Sequence, residues 1–295
     1  MDELYLITEV PKDEQKSFDV LIKDYRKLHI RTTEELLESI VKDNKNLIDN
    51  IQKKNVSESI QLLRELVWQA YLADEVLFNA QLMKDLYTKL NTPKELLDSL
   101  ILKNIVFENT KELEESIRKT CGEYAGRVFP YIYRLSLSNT QSRRSRAGAT
   151  FEYIIYYIYD VLDYKYDSQK KVGRKLFDTM GLGKKVDSIM PSIDAYSQRR
   201  NKTIIGTMKT SLRERWQEVA EEIERTKIPE IHLLTVDENI SASKAKEMAQ
   251  HNIIVVAYEW VSKNEKLKDM KNITSFEEYF FEELPVIYKY WSKND

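Results

Sequence analysis

A chain of 295 residues is long enough for one large domain or two ordinary ones, each with its own core. Hydrophobic residues at 42% and charged residues at 32% exclude wholesale disorder, and a formal net charge of −2 excludes a chain that binds nucleic acid through bulk positive charge. With Cys121 as the only cysteine there is no intramolecular disulfide and no thiolate zinc cluster, which fits a reducing cytoplasm.

The opening MDELYLITEVPKDEQ lacks the basic start and apolar core of a secretory leader. From about Lys12 to Leu135 apolar residues recur at intervals of three and four, as in SESIQLLRELVWQAYLADEVL, and predict successive amphipathic helices with no strand. Helix starts are expected at Thr32-Thr33, at Ser57, and at Thr92-Pro93, where proline suits the first helical position. A polar stretch around residues 136–147, rich in Ser and Arg, is expected to be the linker that ends this helical N-terminal domain of residues 1–135.

The apolar run FEYIIYYIYDVL that follows predicts a helix, and it is interrupted by Glu152 and Asp160 and too short to span a bilayer. We therefore expect a soluble, cytoplasmic protein with no membrane partner. The runs VDSIMP (186–191), TIIGTM (203–208), IHLLTV (231–236) and IIVVA (253–257) have the texture of buried strands, and helical patterns lie between them in SLRERWQEVAEEIER and SASKAKEMAQ. Strands alternating with helices predict an α/β domain over 136–295, with a central mixed sheet flanked by helices. Overall the chain is expected to be α+β.

Charge is concentrated between Lys184 and Arg215, with eight basic residues against three acidic ones. Within that stretch Asp187 opens one strand and Lys209 ends the next, so adjacent strands would bring the two together at one end of the sheet. Carboxylates beside a lysine are what phosphodiester hydrolysis needs. They hold a divalent cation, and the lysine sits near the attacking water. A further acid must come from elsewhere, because Thr207 stands two residues before Lys209. Glu222 on the next helix and Glu152 upstream are the candidates. Glu152 is informative, since a carboxylate in an apolar helical stretch is costly unless it is paired or binds a metal. Each of these residues also has a bland reading, as a turn residue, an exposed lysine, an acidic helix face, or a salt bridge from Glu152 to Arg146 or Lys209.

Four segments taken in order, SRAGATFE, KKVDSIMPSIDAY, MKTSLRERWQEVAEE and HLLTVDENIS, resemble the catalytic domain of the EcoRII-type restriction endonucleases within the PD-(D/E)XK nuclease superfamily. The resemblance covers about residues 140–260, with Val186 where the family usually has proline. It implies a type II restriction endonuclease that hydrolyses double-stranded DNA with Mg²⁺ at a short site containing CC/GG pairs. Glu152, Asp187, Lys209 and Glu222 then match the catalytic set, with Asp187, Glu222 and Glu152 as metal ligands. Glu221 is the nearest competitor of Glu222.

The resemblance also implies that Arg213, Glu214 and Arg215 read bases, since guanidinium groups donate to guanine O6 and N7 and a carboxylate accepts from cytosine N4. Arg143, Arg144, Arg146, Arg199, Arg200 and Lys202, with Tyr196 beside them, are expected at the DNA backbone. Trp216 and the tyrosines 153, 156, 157 and 159 are expected to pack. The quaternary state expected is a homodimer, or a tetramer made of two dimers, with a cognate DNA methyltransferase acting on the same site. Two other readings are a structure-specific repair or recombination nuclease of the same superfamily and a non-catalytic DNA-binding protein.

Overall fold

The computed structural model of the chain describes residues 7–105, 109–213 and 215–293. Among the described residues seven helices come first: α1 (Lys12–His29), α2 (Thr33–Asp43), α3 (Asn46–Gln52), α4 (Val56–Lys89), α5 (Asn91–Asn104), α6 (Thr110–Arg127) and α7 (Phe129–Val161). The strands β1 (Asp167–Ser168), β2 (Ser188–Met190), β3 (Ile204–Lys209), β4 (Ile231–Thr235), β5 (Ile253–Ala257) and β6 (Ile273–Ser275) follow. Contacts divide the chain into two compact units, Met1–Thr32 with Trp68–Ser145, and Thr33–Val67 with Arg146–Asp295. Residues 33–67 thus group with the sheet, a grouping that a division at 135/136 does not contain.

The first unit is all helical among its described residues, as the periodicity predicted. Glu14 is buried there and satisfies two donors, the Tyr131 hydroxyl at 2.6 Å and the Thr92 N–H at 2.9 Å. The second of these serves an otherwise orphaned amide at the start of α5. One expectation is overturned. Residues 136–147 form no linker, because α7 runs unbroken from Phe129 to Val161. The stretch has no proline, its glycine comes only at 148, and its polar side chains find partners: Asn139 Nδ2 donates to Asn79 at 2.9 Å, and Arg143 pairs with buried Glu75 and lies over Trp68.

In the second unit the six strands form one sheet in the order β1-β2-β3-β4-β5-β6. The β1, β2 and β3 pairings are antiparallel and those from β3 to β6 are parallel. All of β4, and β3 from Ile204 to Met208, are buried, which is why both read as unbroken apolar runs: parallel central strands are covered on both faces. After the short helices α8 (Gln169–Val172), α9 (Arg174–Thr179) and α10 (Ile193–Gln198), crossover helices α11 (Arg215–Thr226) and α12 (Ala242–Gln250) link β3 to β4 and β4 to β5. The expected start of α4 at Ser57 moves to Val56. There the Ser57 N–H and hydroxyl both donate to Glu277, at 2.6 and 2.8 Å.

Candidate active site

The antiparallel pairing of β2 with β3 sets Ser188 opposite Gly206. Just before it, the Asp187 N–H donates to the Gly206 carbonyl at 2.9 Å. That register carries the Asp187 side chain to the end of β3, where its Oδ2 accepts from the Met208 N–H at 2.7 Å and the Thr207 hydroxyl at 3.3 Å. Lys209 Nζ lies 3.4 Å from the same oxygen and donates to Thr207 Oγ1 and the Met208 carbonyl, both at 3.0 Å. The expected meeting of Asp187 and Lys209 therefore occurs, with both side chains largely buried. Thr207 stands two residues before Lys209 on β3. It supplies a hydroxyl that bridges the two charges, a part that only the register discloses.

Glu152 on α7 joins them. It makes no hydrogen bond among the described residues, and burial, with the Asp187 charge adding, pushes its carboxyl up to about 7, against a smaller opposing pull from Lys209 and Lys170. Between the ordinary carboxylate range and about 7 the folded protein holds a proton here that the unfolded chain releases, so this group destabilises the fold as pH rises across that interval. The displacement corresponds to about 3 kcal/mol above neutrality. In EDTA, Glu152→Gln should remove this part of the loss between pH 5 and pH 8 and melt higher than the parent at pH 8. Thermal unfolding at the two pH values measures it, and parallel pH dependence in both proteins would refute the assignment.

Glu222 is buried on α11 but turns to other partners. Its Oε1 accepts from the Lys184 N–H at 2.5 Å and from Arg225 at 2.6 Å. Gly183, at φ 74°, makes room for it, since a Cβ there would stand 1.7 Å from Oε1. On the same helix Glu218 pairs with Lys185 at 2.5 Å, and this bond, with smaller pulls from Arg215 and Lys209, holds its carboxyl below the ordinary range.

Arg213 sits exposed on the turn after β3 and Arg215 exposed at the start of α11, while Glu214 lies outside the described residues. Buried Leu212 and Trp216 anchor the turn on either side, and Asp237 accepts the Leu212 N–H at 2.8 Å. Arg144 is exposed and Arg146 half-buried on α7. Arg199 donates to the Tyr290 hydroxyl at 2.7 Å, Lys202 lies over the Tyr290 ring, and Arg200 over that of Tyr196. Tyr196 itself is 1% exposed, so the expected backbone contact from it gives way to a core role. Tyr159 is fully buried, whereas Tyr153, Tyr156 and Tyr157 line a cleft of about 560 Å³ between α2 and α7.

Among the described residues no cluster of three or more acidic, histidine or cysteine side chains is drawn tightly enough to hold a metal ion. The pair Glu152 and Asp187 nevertheless has the right donor chemistry. It offers hard oxygen donors whose like charges repel in a desolvated place, which a divalent cation relieves while keeping several of its waters.

Residues 110–280 match the family model described as EcoRII C terminal. The chain is 33% identical over 226 residues to the type II restriction enzyme SsoII of Shigella sonnei, covering 76% of this chain and 67% of the other. Metal-depleted Ecl18kI in complex with uncleaved DNA matches with a TM-score of 0.72 at 29% identity. Its complex with uncleaved, modified DNA gives 0.73 at 27%. Each match covers 94% of this chain and 85% of that one. The PspGI–substrate DNA complex has a TM-score of 0.57 at 17% identity over 90% of this chain and 94% of that one, a likeness of fold.

Proposed function

The chain belongs to the EcoRII C-terminal family and is a type II restriction endonuclease, and from that premise we propose that it cuts double-stranded DNA at a short site containing CC/GG pairs, with Mg²⁺ held by Asp187, Glu152 and Glu222. The observation that carries the chemistry is the desolvated meeting of Asp187, Lys209 and Glu152 at the ends of β2 and β3. The divalent ion, when bound, neutralises phosphate charge and makes the attacking water more acidic. The chain's own residues do the rest.

Asp187 is held by the Met208 N–H in one orientation, so its second oxygen keeps a fixed direction. The Lys209 ammonium orients the water whose oxygen bonds to phosphorus as the bond to the leaving oxygen breaks, and its charge favours release of the water's proton to solvent, from which the leaving oxygen is protonated. Glu222 joins when Arg225 releases it. Arg213, Glu214 and Arg215 read bases. Arg143, Arg144, Arg146, Arg199, Arg200 and Lys202 hold phosphates, for which Arg143 must exchange Glu75 for DNA. Chemistry and readout are thus assigned to residues 136–295. A homodimer on a near-palindromic site, able to pair into a tetramer, cuts one strand per subunit. A cognate methyltransferase protects the site in the cytoplasm. Among the described residues no helix is long and apolar enough to cross a membrane.

Digestion of a sequenced, unmethylated phage DNA with Mg²⁺ or with EDTA, followed by sequencing of the fragment ends, tests this. Discrete ends that need Mg²⁺ and share a CC/GG-containing site are expected. Random ends would point to a structure-directed nuclease, and no cutting at any enzyme concentration to a binding protein.

A further inference from the structure

Asp187 is tied to β3 by its N–H and by its carboxylate, while its remaining backbone group, the carbonyl, is claimed from elsewhere. The Tyr156 hydroxyl, on α7, donates to it at 3.0 Å. Tyr156 lies four residues after Glu152, one helical turn along the same face of α7. Its ring is stacked on that of Tyr166, with centroids 5.3 Å apart and planes within 10°. Tyr166 in turn packs against buried Tyr159 at 5.1 Å. The neighbouring Asp167 pairs with Ile189, so this stack is anchored at the β1–β2 edge of the sheet. One rigid side chain therefore references the helix that carries Glu152 to the strand that carries Asp187.

We propose that Tyr156 is a positioning residue, whose hydroxyl sets the separation of Glu152 and Asp187 and so prepares the oxygen pair for a divalent cation. The inference rests on the nuclease reading above. Outer partners of metal-binding groups carry about 10–100-fold in metal affinity or activity when removed. The variant that isolates the hydroxyl is Tyr156→Phe, which keeps the ring stack. Tyr153→Phe on the same helix is its control, since that hydroxyl faces Glu34 at 3.2 Å rather than Asp187.

Four quantities are to be read on the parent and both variants: the melting temperature, affinity for cognate DNA in EDTA, calorimetric uptake of Ca²⁺ by the protein–DNA complex, and the Mg²⁺ concentration giving half-maximal cutting. For Tyr156→Phe we expect melting within about 4 °C of the parent and unchanged DNA affinity in EDTA. Ca²⁺ uptake should weaken by about tenfold or more, and half-maximal cutting should move to correspondingly higher Mg²⁺. Tyr153→Phe should match the parent throughout. If the parent cuts and takes up Ca²⁺ and Tyr156→Phe does both at the same ion concentrations, the positioning role is overturned while the nuclease reading stands. A parent that neither cuts nor takes up the ion overturns both. Weakened DNA affinity in EDTA, with ion uptake unchanged, would make Tyr156 a DNA contact and overturn the proposal.

Discussion

Lys209→Ala is expected to lower the single-turnover rate of DNA cutting by about 10²–10³-fold, the usual contribution of one preorganised donor to the charge that develops in a reaction, while affinity for cognate DNA in EDTA changes by less than about threefold, because a largely buried lysine is poorly placed for a phosphate. The ammonium spends its contacts inward, on Asp187 Oδ2, Thr207 Oγ1 and the Met208 carbonyl. Its loss should not unfold the site, since Asp187 retains the Met208 N–H and the Thr207 hydroxyl. Removing a cation beside two carboxylates leaves them with more unrelieved repulsion, so a divalent ion should still bind. The loss then falls on the chemical step. Arginine at 209 should not restore the rate, because its larger planar guanidinium cannot take the place of the compact ammonium among Asp187 Oδ2, Thr207 Oγ1 and the Met208 carbonyl. Cutting by Lys209→Ala within threefold of the parent would remove Lys209 from the proposed mechanism.

The parts of this site that could be read from sequence are those with a local signature. Buried on both faces, β3, β4 and β5 leave continuous apolar runs. Glu152 stands out because its neighbours in FEYIIYYIYDVL are apolar, and the ends of two strands single out Asp187 and Lys209. Strands β1 and β6, of two and three residues, are too short to leave a period. The continuity of α7 was hidden for a different reason. Its middle is polar on every face and reads as a linker until Glu75 and Asn79 are placed beside Arg143 and Asn139. Thr207, Tyr156 and the Lys184 N–H that engages Glu222 owe their parts to register and packing between segments 20 or more residues apart, and no local pattern carries that information. The division of roles among the acids, and base reading by the 213–215 triplet, came from the family resemblance rather than from spacing.

Arg213→Ala should separate base reading from phosphate binding. The residue stands exposed on a turn pinned by buried Leu212 and Trp216 and by the Asp237 contact to the Leu212 N–H, so its truncation leaves the backbone of the turn in place. A guanidinium bidentate to guanine O6 and N7 discriminates by about 1–3 kcal/mol, or about 5–150-fold. We expect that loss on the cognate site. Binding to DNA in which the contacted G·C pair is replaced by A·T should hardly change, because the parent has already forfeited the contact there. A phosphate contact behaves otherwise. Arg200→Ala, on the turn after α10 (Ile193–Gln198), should weaken both DNAs alike and reduce the slope of log affinity against log salt by about one. Competition binding of the two duplexes at two salt concentrations resolves the cases. Equal loss on both duplexes with a shallower salt slope for Arg213→Ala would move that residue to the backbone set and leave Arg215 and Glu214 to carry the CC/GG reading.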